Sequence, residues 1–161
     1  MIEVEDLSKT EITDVLNRIG YGHLGCSLND RPYVVPVHYA FDGSCVYIYT
    51  TDGKKSAIIH ENPYVCLQIE DVKDNQHWES VIVDGRAVRV RDKVERERAI
   101  KMIVDINPTL TPAVSIHWLD NWVRENVEVI YKVEPLDMSG RRAVTQAGDQ
   151  ATLVPRERTL Q

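Results

Sequence analysis

The chain has 161 residues, 43% of them hydrophobic, which is single-domain size with enough apolar material for one core. Its net charge of −6 argues against a nucleic-acid partner, whose footprint would be a basic stripe. No run approaches the ~20 apolar residues of a membrane span, and the first five residues lack the basic and apolar regions of a secretion signal.

Cys26, Cys45 and Cys66 are odd in number, widely spaced and set in apolar runs. That is the pattern of buried thiols in a reducing compartment, so the cytoplasm is the expected location. The first element is a helix over residues 8–19, with Ser8 as N-cap, Glu11 at the capping-box position, and Ile12, Val15, Leu16 and Ile19 on one face. Gly20 ends it. Residues 21–28 read as a strand, and Asn29-Asp30-Arg31-Pro32 turns the chain.

Strands over 33–41 and 44–51 are rich in Val, Ile and Tyr and flank Asp42-Gly43, a two-residue hairpin turn. With Phe41 opposite Ser44, Tyr39 faces Val46, Val37 faces Ile48 and Val35 faces Thr50. The other side sets His38 against Tyr47, Pro36 against Tyr49 and Val34 against Thr51, and is nearly as apolar. A second apolar face needs a cover: a subunit, a helix or a flat ligand. Pro36 has no N–H to donate and suits a break in pairing, where a ligand can replace a strand.

A short helix is predicted over residues 56–60, stopping near Asn62-Pro63. The hydroxyls of Thr50 and Thr51, a Gly53 turn, Lys54, Lys55 and a helix N-terminus are together the parts of an anion site. Two lysines on a turn are by themselves ordinary surface, but beside a ribbon with two apolar faces the phosphate reading is the better one.

Residues 64–70 alternate as a fourth strand, and 71–76 read as a loop. Residues 78–91 form one long strand bent at Asp84-Gly85. Arg86, Arg89, Arg91 and Lys93 cluster here but are interrupted by Asp84, Asp92 and Glu95, which reads as a solvated strand and helix end. Asp92 caps a helix with Glu95 at the box position and Ala99, Ile100, Ile103 and Val104 as its stripe. A further helix is predicted over 111–126, with Trp118 and Trp122 at helical spacing, and a last strand over 127–136. Residues 1–140 form one domain; 141–161 read as a mobile tail or an arm on another subunit.

These stretches carry a family resemblance. Arg31-Pro32-Tyr33-Val34-Val35-Pro36-Val37, Tyr47-Ile48-Tyr49-Thr50-Thr51, Gly53-Lys54-Lys55, Asn62-Pro63-Tyr64-Val65-Cys66 and the run from Trp78 to Ala87 resemble, in order and spacing, the FMN-binding split-barrel flavoproteins related to pyridoxamine 5′-phosphate oxidase. The nitroimidazole-resistance-like branch is the most similar, over residues 8–140 or so. The resemblance implies a mainly β fold, an antiparallel six-stranded split β-barrel with flanking helices, and a homodimer with FMN at the subunit interface. It implies that Val34, Val35, Pro36 and Val37 flank the ring, that Tyr49, Thr50 and Thr51 lie along the ribityl chain and phosphate, and that Lys54 and Lys55 hold the phosphate charge. Ser80 falls where related oxidases place a flavin-bonding side chain.

Two departures limit what carries over. The oxidases have a Ser-Arg-Lys turn and a C-terminal tryptophan, whereas here the turn is Gly53-Lys54-Lys55 and no tryptophan follows Met138. In the nitroimidazole-like branch the turn is usually Gly-His-Lys, and Lys54 replaces that histidine. His38 is the one candidate proton carrier, and the other histidines show no metal-ligand spacing. The expectation is therefore an FMN-dependent oxidoreductase acting on a small molecule. The alternatives are a binding or sensing module without turnover, and a haem- or deazaflavin-binding relative on the same barrel.

Overall fold

Alternating apolar runs interrupted at turn spacing fold as strands, and a computed structural model describing residues 2–107 and 128–145 arranges them as follows. The elements are β1 (Ile2–Asp6), α1 (Lys9–Ile19), β2 (Tyr21–Leu28), β3 (Arg31–Phe41), β4 (Val46–Thr51), α2 (Lys54–Glu61), β5 (Tyr64–Asp74), β6 (His77–Arg89), α3 (Lys93–Ile106) and β7 (Glu128–Thr145). Neighbours run β7-β4-β3-β2-β5-β6, and β6 pairs back to β7, which closes an antiparallel ring of six strands. β1 adds a seventh outside the ring, on the far end of β7. No helix among the described residues is long and apolar enough to cross a membrane.

The ring encloses the main core, with Leu24, Ile48, Leu67, Ile69, Val81, Val83 and Val133 fully buried. α1 caps one end through Ile12, Val15 and Leu16, and the buried Tyr39 hydroxyl donates to Leu16 O at 2.9 Å. Its capping box and its left-handed Gly20 stop (φ 71°) form as the sequence predicts. α2 docks at the opposite end of β2, where Asn62 Nδ2 donates to Ser27 O at 2.9 Å, and sinks Ile58 and Ile59 into the same core. α3 covers the outer face of the ribbon: Ala99 and Ile103 pack on Ala40, Tyr47, Tyr49 and Ile130. Of the three covers expected for that face, a helix takes its C-terminal half.

Several boundaries differ from the sequence reading. The hairpin turn spans Asp42 to Cys45, because Asp42 Oδ1 accepts the N–H groups of Ser44 and Cys45 at 2.8 and 2.7 Å. The first cross-strand pair is therefore Phe41–Val46, and His38 faces Tyr49, not Tyr47. The slip is by two residues, so each side chain keeps its face. β5 runs on to Asp74 where a loop was predicted, leaving only a short turn before β6. Glu95 does not close a capping box; its carboxylate instead accepts from Tyr47 Oη and Lys132 Nζ, each at 3.0 Å. β7 continues past residue 140 to Thr145 and pairs with β1, an element absent from the sequence reading. The predicted helix with Trp118 and Trp122, and the tail from 146 onward, lie outside the described residues.

The bend expected in β6 is present. Pairing with β7 shifts register between Asp84 and Gly85, where a Cβ would come within 2.6 Å of Glu134 O.

Candidate functional site

β3 and β4 part company at His38. They pair only from His38–Tyr49 to Phe41–Val46, whereas β3 from Arg31 to Val37 pairs with β2 alone among the described residues. Tyr39 N–H donates to Gly20 O at 3.0 Å, on the β2 side. Backbone groups of alternate residues point to opposite sides, so those of Val34 and Pro36 face the edge that β4 has left. Proline supplies no N–H there, so the ladder could not have been completed. The result is a short free edge carrying Val34 N–H, Val34 C=O and Pro36 C=O. Val34 is 63% exposed, Pro36 is exposed and Val35 is half-buried, while Val37 is buried in the core.

The Gly53-Lys54-Lys55 turn opens α2 beside this edge. Lys54 Nζ lies 4.8 Å above the Tyr33 ring, and Lys55 interacts with Cys26 and Asp52. Cys26 and Tyr33 are cross-strand partners, so both lysines converge on one rung of β2 and β3. Burial holds the Lys55 ammonium below its ordinary range, partly offset by Cys26 and Asp52. The same burial raises the Cys26 thiol, and Lys55 opposes that rise. Gly53 caps the helix with no side-chain bond, so the N–H groups of the first turn have no capping acceptor. Thr50 is buried and Thr51 half-buried at the end of β4, where they pair with β7.

Other predicted residues point elsewhere. Tyr49 packs under α3 and donates to Glu128 Oε1 at 2.7 Å. His38 Nδ1 lies 3.3 Å from Asn107 Oδ1, with its ring edge-on to Tyr21 at 5.6 Å. Ser80 sits on β6, beyond β2 and β5 from β3, where its Oγ accepts from Gln68 Nε2 at 3.3 Å. Within one chain, therefore, the free edge, Lys54 and Lys55 come together, and Ser80 does not join them.

The family model for pyridoxamine 5′-phosphate oxidase matches residues 8–142. The chain belongs to that family. A FAD-binding protein of Mesorhizobium loti is 28% identical, with a TM-score of 0.72 over 90% of this chain and 100% of that one. A 5-nitroimidazole antibiotic resistance protein of Bacteroides thetaiotaomicron VPI-5482 has a TM-score of 0.68 over 90% of this chain and 93% of that one; at 19% identity this is a likeness of fold. The FAD binding protein of Mycobacterium smegmatis, 23% identical with a TM-score of 0.63, shares the fold over 86% of this chain and 98% of its own. An uncharacterised protein of Rhizobium meliloti (strain 1021) is 36% identical over 83 residues, 52% of this chain and 55% of that one. The chain thus spans about half the length of that curated relative.

This member of the pyridoxamine 5′-phosphate oxidase family has a feature that sequence reasoning missed. A cleft of about 660 Å³ opens on the other flank of α2, walled by Gly53, Ser56 and His60 on one side and Arg86, Arg89 and Arg91 on the other. β6 pairs with β5 as far as Tyr64–Arg86, and Ala87 N–H donates to Pro63 O at 2.8 Å; beyond Ala87 it has no strand neighbour on the α2 side among the described residues. The signal available in the sequence was the run of arginines, which interrupting acids made look like solvated surface.

Proposed function

We propose that the protein is a flavoprotein that holds the FMN unit of a flavin between the free edge of β3 and the N-terminus of α2, and that it is an oxidoreductase acting on a small molecule. The observation that carries this reading is the conjunction of an unpaired backbone edge at Val34–Val37 with two lysines aimed at the neighbouring rung. A flat heteroaromatic ring needs backbone donors and acceptors at its polar rim and apolar side chains at its faces, and Val34, Val35 and Pro36 provide these. The phosphate end needs cations and free N–H groups, which Lys54, Lys55 and the first turn of α2 provide. Bound there, a flavin would supply the electron chemistry. The residues of this chain would orient it, hold its phosphate and exclude water from its buried side.

We further propose a homodimer. Tyr21, Val34 and Ile82, 43, 63 and 39% exposed, share the outer face of β3, β2, β5 and β6, and Tyr64 and Leu136, 60 and 69% exposed, extend it. An apolar face of this kind suits a second copy, and Ser80 on the partner would then be free to reach a flavin that its own chain cannot. The three free cysteines suit the cytoplasm.

The absorption spectrum of the purified protein is the primary test. Flavin bands support the reading, whereas a Soret band, or no uptake of FMN, FAD or riboflavin, refutes it. Anaerobic reduction with NADPH and reoxidation by nitro compounds or quinones then separates an oxidoreductase from a flavin binder without turnover. A monomer by sedimentation at micromolar concentration would refute the dimer.

A further inference from the structure

The cleft beyond α2 lies next to the phosphate turn but on the opposite flank of the helix from the side chains of Lys54 and Lys55. It shares with them the helix N-terminus and Asp52, which also interacts with Lys55. Three guanidiniums stand against one carboxylate, Asp52, in a protein whose net charge is −6. Arg89 Nη1 is 3.6 Å from Asp52 Oδ2, so that acid is already engaged. Arg86 and Arg91 have no carboxylate partner among the described residues.

Ser56 provides an independent sign. It is 7% exposed and lines the cleft, and its Oγ is the one buried side-chain polar atom without a hydrogen-bond partner among the described residues. An unsatisfied buried hydroxyl is unfavourable and calls for an explanation, of which an oxygen-rich ligand is one. A Cβ at Gly53 would meet nothing within 4 Å, so approach to the helix N-terminus is open. Apolar wall comes from Pro63, Val88 and Tyr131. A cavity of this size, part cationic and part apolar, matches a nucleoside phosphate better than a bare anion.

We propose that this cleft takes the adenosine-phosphate half of FAD, with Arg86 and Arg91 pairing its phosphate and Ser56 Oγ donating to a phosphate oxygen. The inference rests on the flavin reading, since the cleft begins at Gly53, where the FMN unit would end. It makes FAD, not FMN, the preferred cofactor.

Titrations of the full-length protein with riboflavin, FMN, FAD and ADP test it, using the parent, the double variant Arg86→Ala/Arg91→Ala, and Ser56→Ala. The parent should bind FAD at least about tenfold more tightly than FMN, and the double variant should lose roughly that factor for FAD. FMN and riboflavin binding should be unchanged. Ser56→Ala should weaken FAD alone and leave the melting temperature unchanged or higher. Equal affinity for FAD and FMN in the parent overturns the inference while leaving the flavin reading intact. Loss of FMN and FAD in equal measure in the double variant overturns it as well, since the arginines would then serve the FMN phosphate. ADP bound by FMN-loaded parent but not by the double variant, without any FAD preference, assigns the cleft to a free nucleotide and overturns the FAD assignment. A parent that binds no flavin refutes the flavin reading and this inference together.

Discussion

Removing Lys55 should cost more FMN affinity than removing Lys54. Lys55 is half-buried against β2 and its ammonium is already destabilised by burial, so a phosphate placed beside it gains a partner with little competing water. A charge-assisted hydrogen bond in such a setting contributes about 1.5–3 kcal/mol, or roughly 10- to 150-fold in Kd. Lys54 is exposed and lies over Tyr33, so solvent and salt reduce its share to about 0.2–1 kcal/mol, at most about fivefold. Fluorescence titration at about 0.15 M ionic strength reads both variants, and riboflavin, which has no phosphate, is the internal control. Lys55→Ala should leave riboflavin affinity near that of the parent. A Lys55→Ala protein that binds FMN as tightly as the parent, or weakens FMN and riboflavin alike, refutes the placement of the phosphate. The lowered pKa adds a pH signature. The free protein releases the Lys55 proton below the ordinary 10.5, and a phosphate raises that pKa again, so binding takes up a proton between the two values. FMN affinity should fall with rising pH through that alkaline window, and Lys55→Ala should flatten the slope.

Three further substitutions test the frame that holds the site. Tyr39→Phe removes the bond from a fully buried phenol to Leu16 O and should lower stability by about 1 kcal/mol by urea denaturation. Because burial raises the Tyr39 pKa, its ultraviolet titration should be missing from the alkaline range until the protein unfolds. Gly85→Ala forces a Cβ against Glu134 O and Val133 Cγ1, 2.6 and 2.7 Å away, and should cost about 1–3 kcal/mol or prevent folding; a wild-type melting curve would refute the bulge argument. Glu95 has its pKa lowered by Lys132 and Tyr47, so its contribution is present above the ordinary 4.5 and is lost as pH falls through the lowered value. Glu95→Gln should therefore narrow the stability gap to the parent in acid, measured by thermal melts across that range.

Much of the ring was legible because its signals are local. Ser8, Glu11 and Gly20 bound α1 within the chain, period-two alternation marked β5 and β7, and the Val, Ile and Tyr runs flanking Asp42-Gly43 marked β3 and β4. β1 was invisible for the same reason. Ile2 and Val4 are 44 and 54% exposed, so no buried face imposes alternation on it; its pairing with residues 141–145 on β7 and exposed ion pairs such as Arg142 with Glu5 hold it. Strand ends without a core-facing pattern leave little trace in sequence. The hairpin register slipped because the Asp42 side chain, not the Asp-Gly dipeptide alone, closes the turn.

The site divides along the same line. Pro36 and the glycine-lysine turn are close in sequence to the edge they create, so reading the chain brought them together. Arg86 and Arg89 on β6 and Arg91 just after it are distant from α2 in the chain, and the acids that interrupt them made them read as solvated surface. What makes them neighbours of α2 is the end of β5–β6 pairing at Tyr64–Arg86, a fact about strand length that no residue announces. Ala87 N–H still donates to Pro63 O at 2.8 Å and its side chain stays in the core, but beyond it Val88 and Arg89 are both half-buried, and all of residues 86–89 line the cleft. The same physics shapes both halves of the site. At β3 an edge opened by the departure of β4 meets one flank of α2, and at β6 an edge opened by the end of β5 meets the other. A ligand long enough to use both must cross the helix N-terminus, where the unpaired N–H groups favour negative charge, and a dinucleotide has its pyrophosphate at the middle of its length.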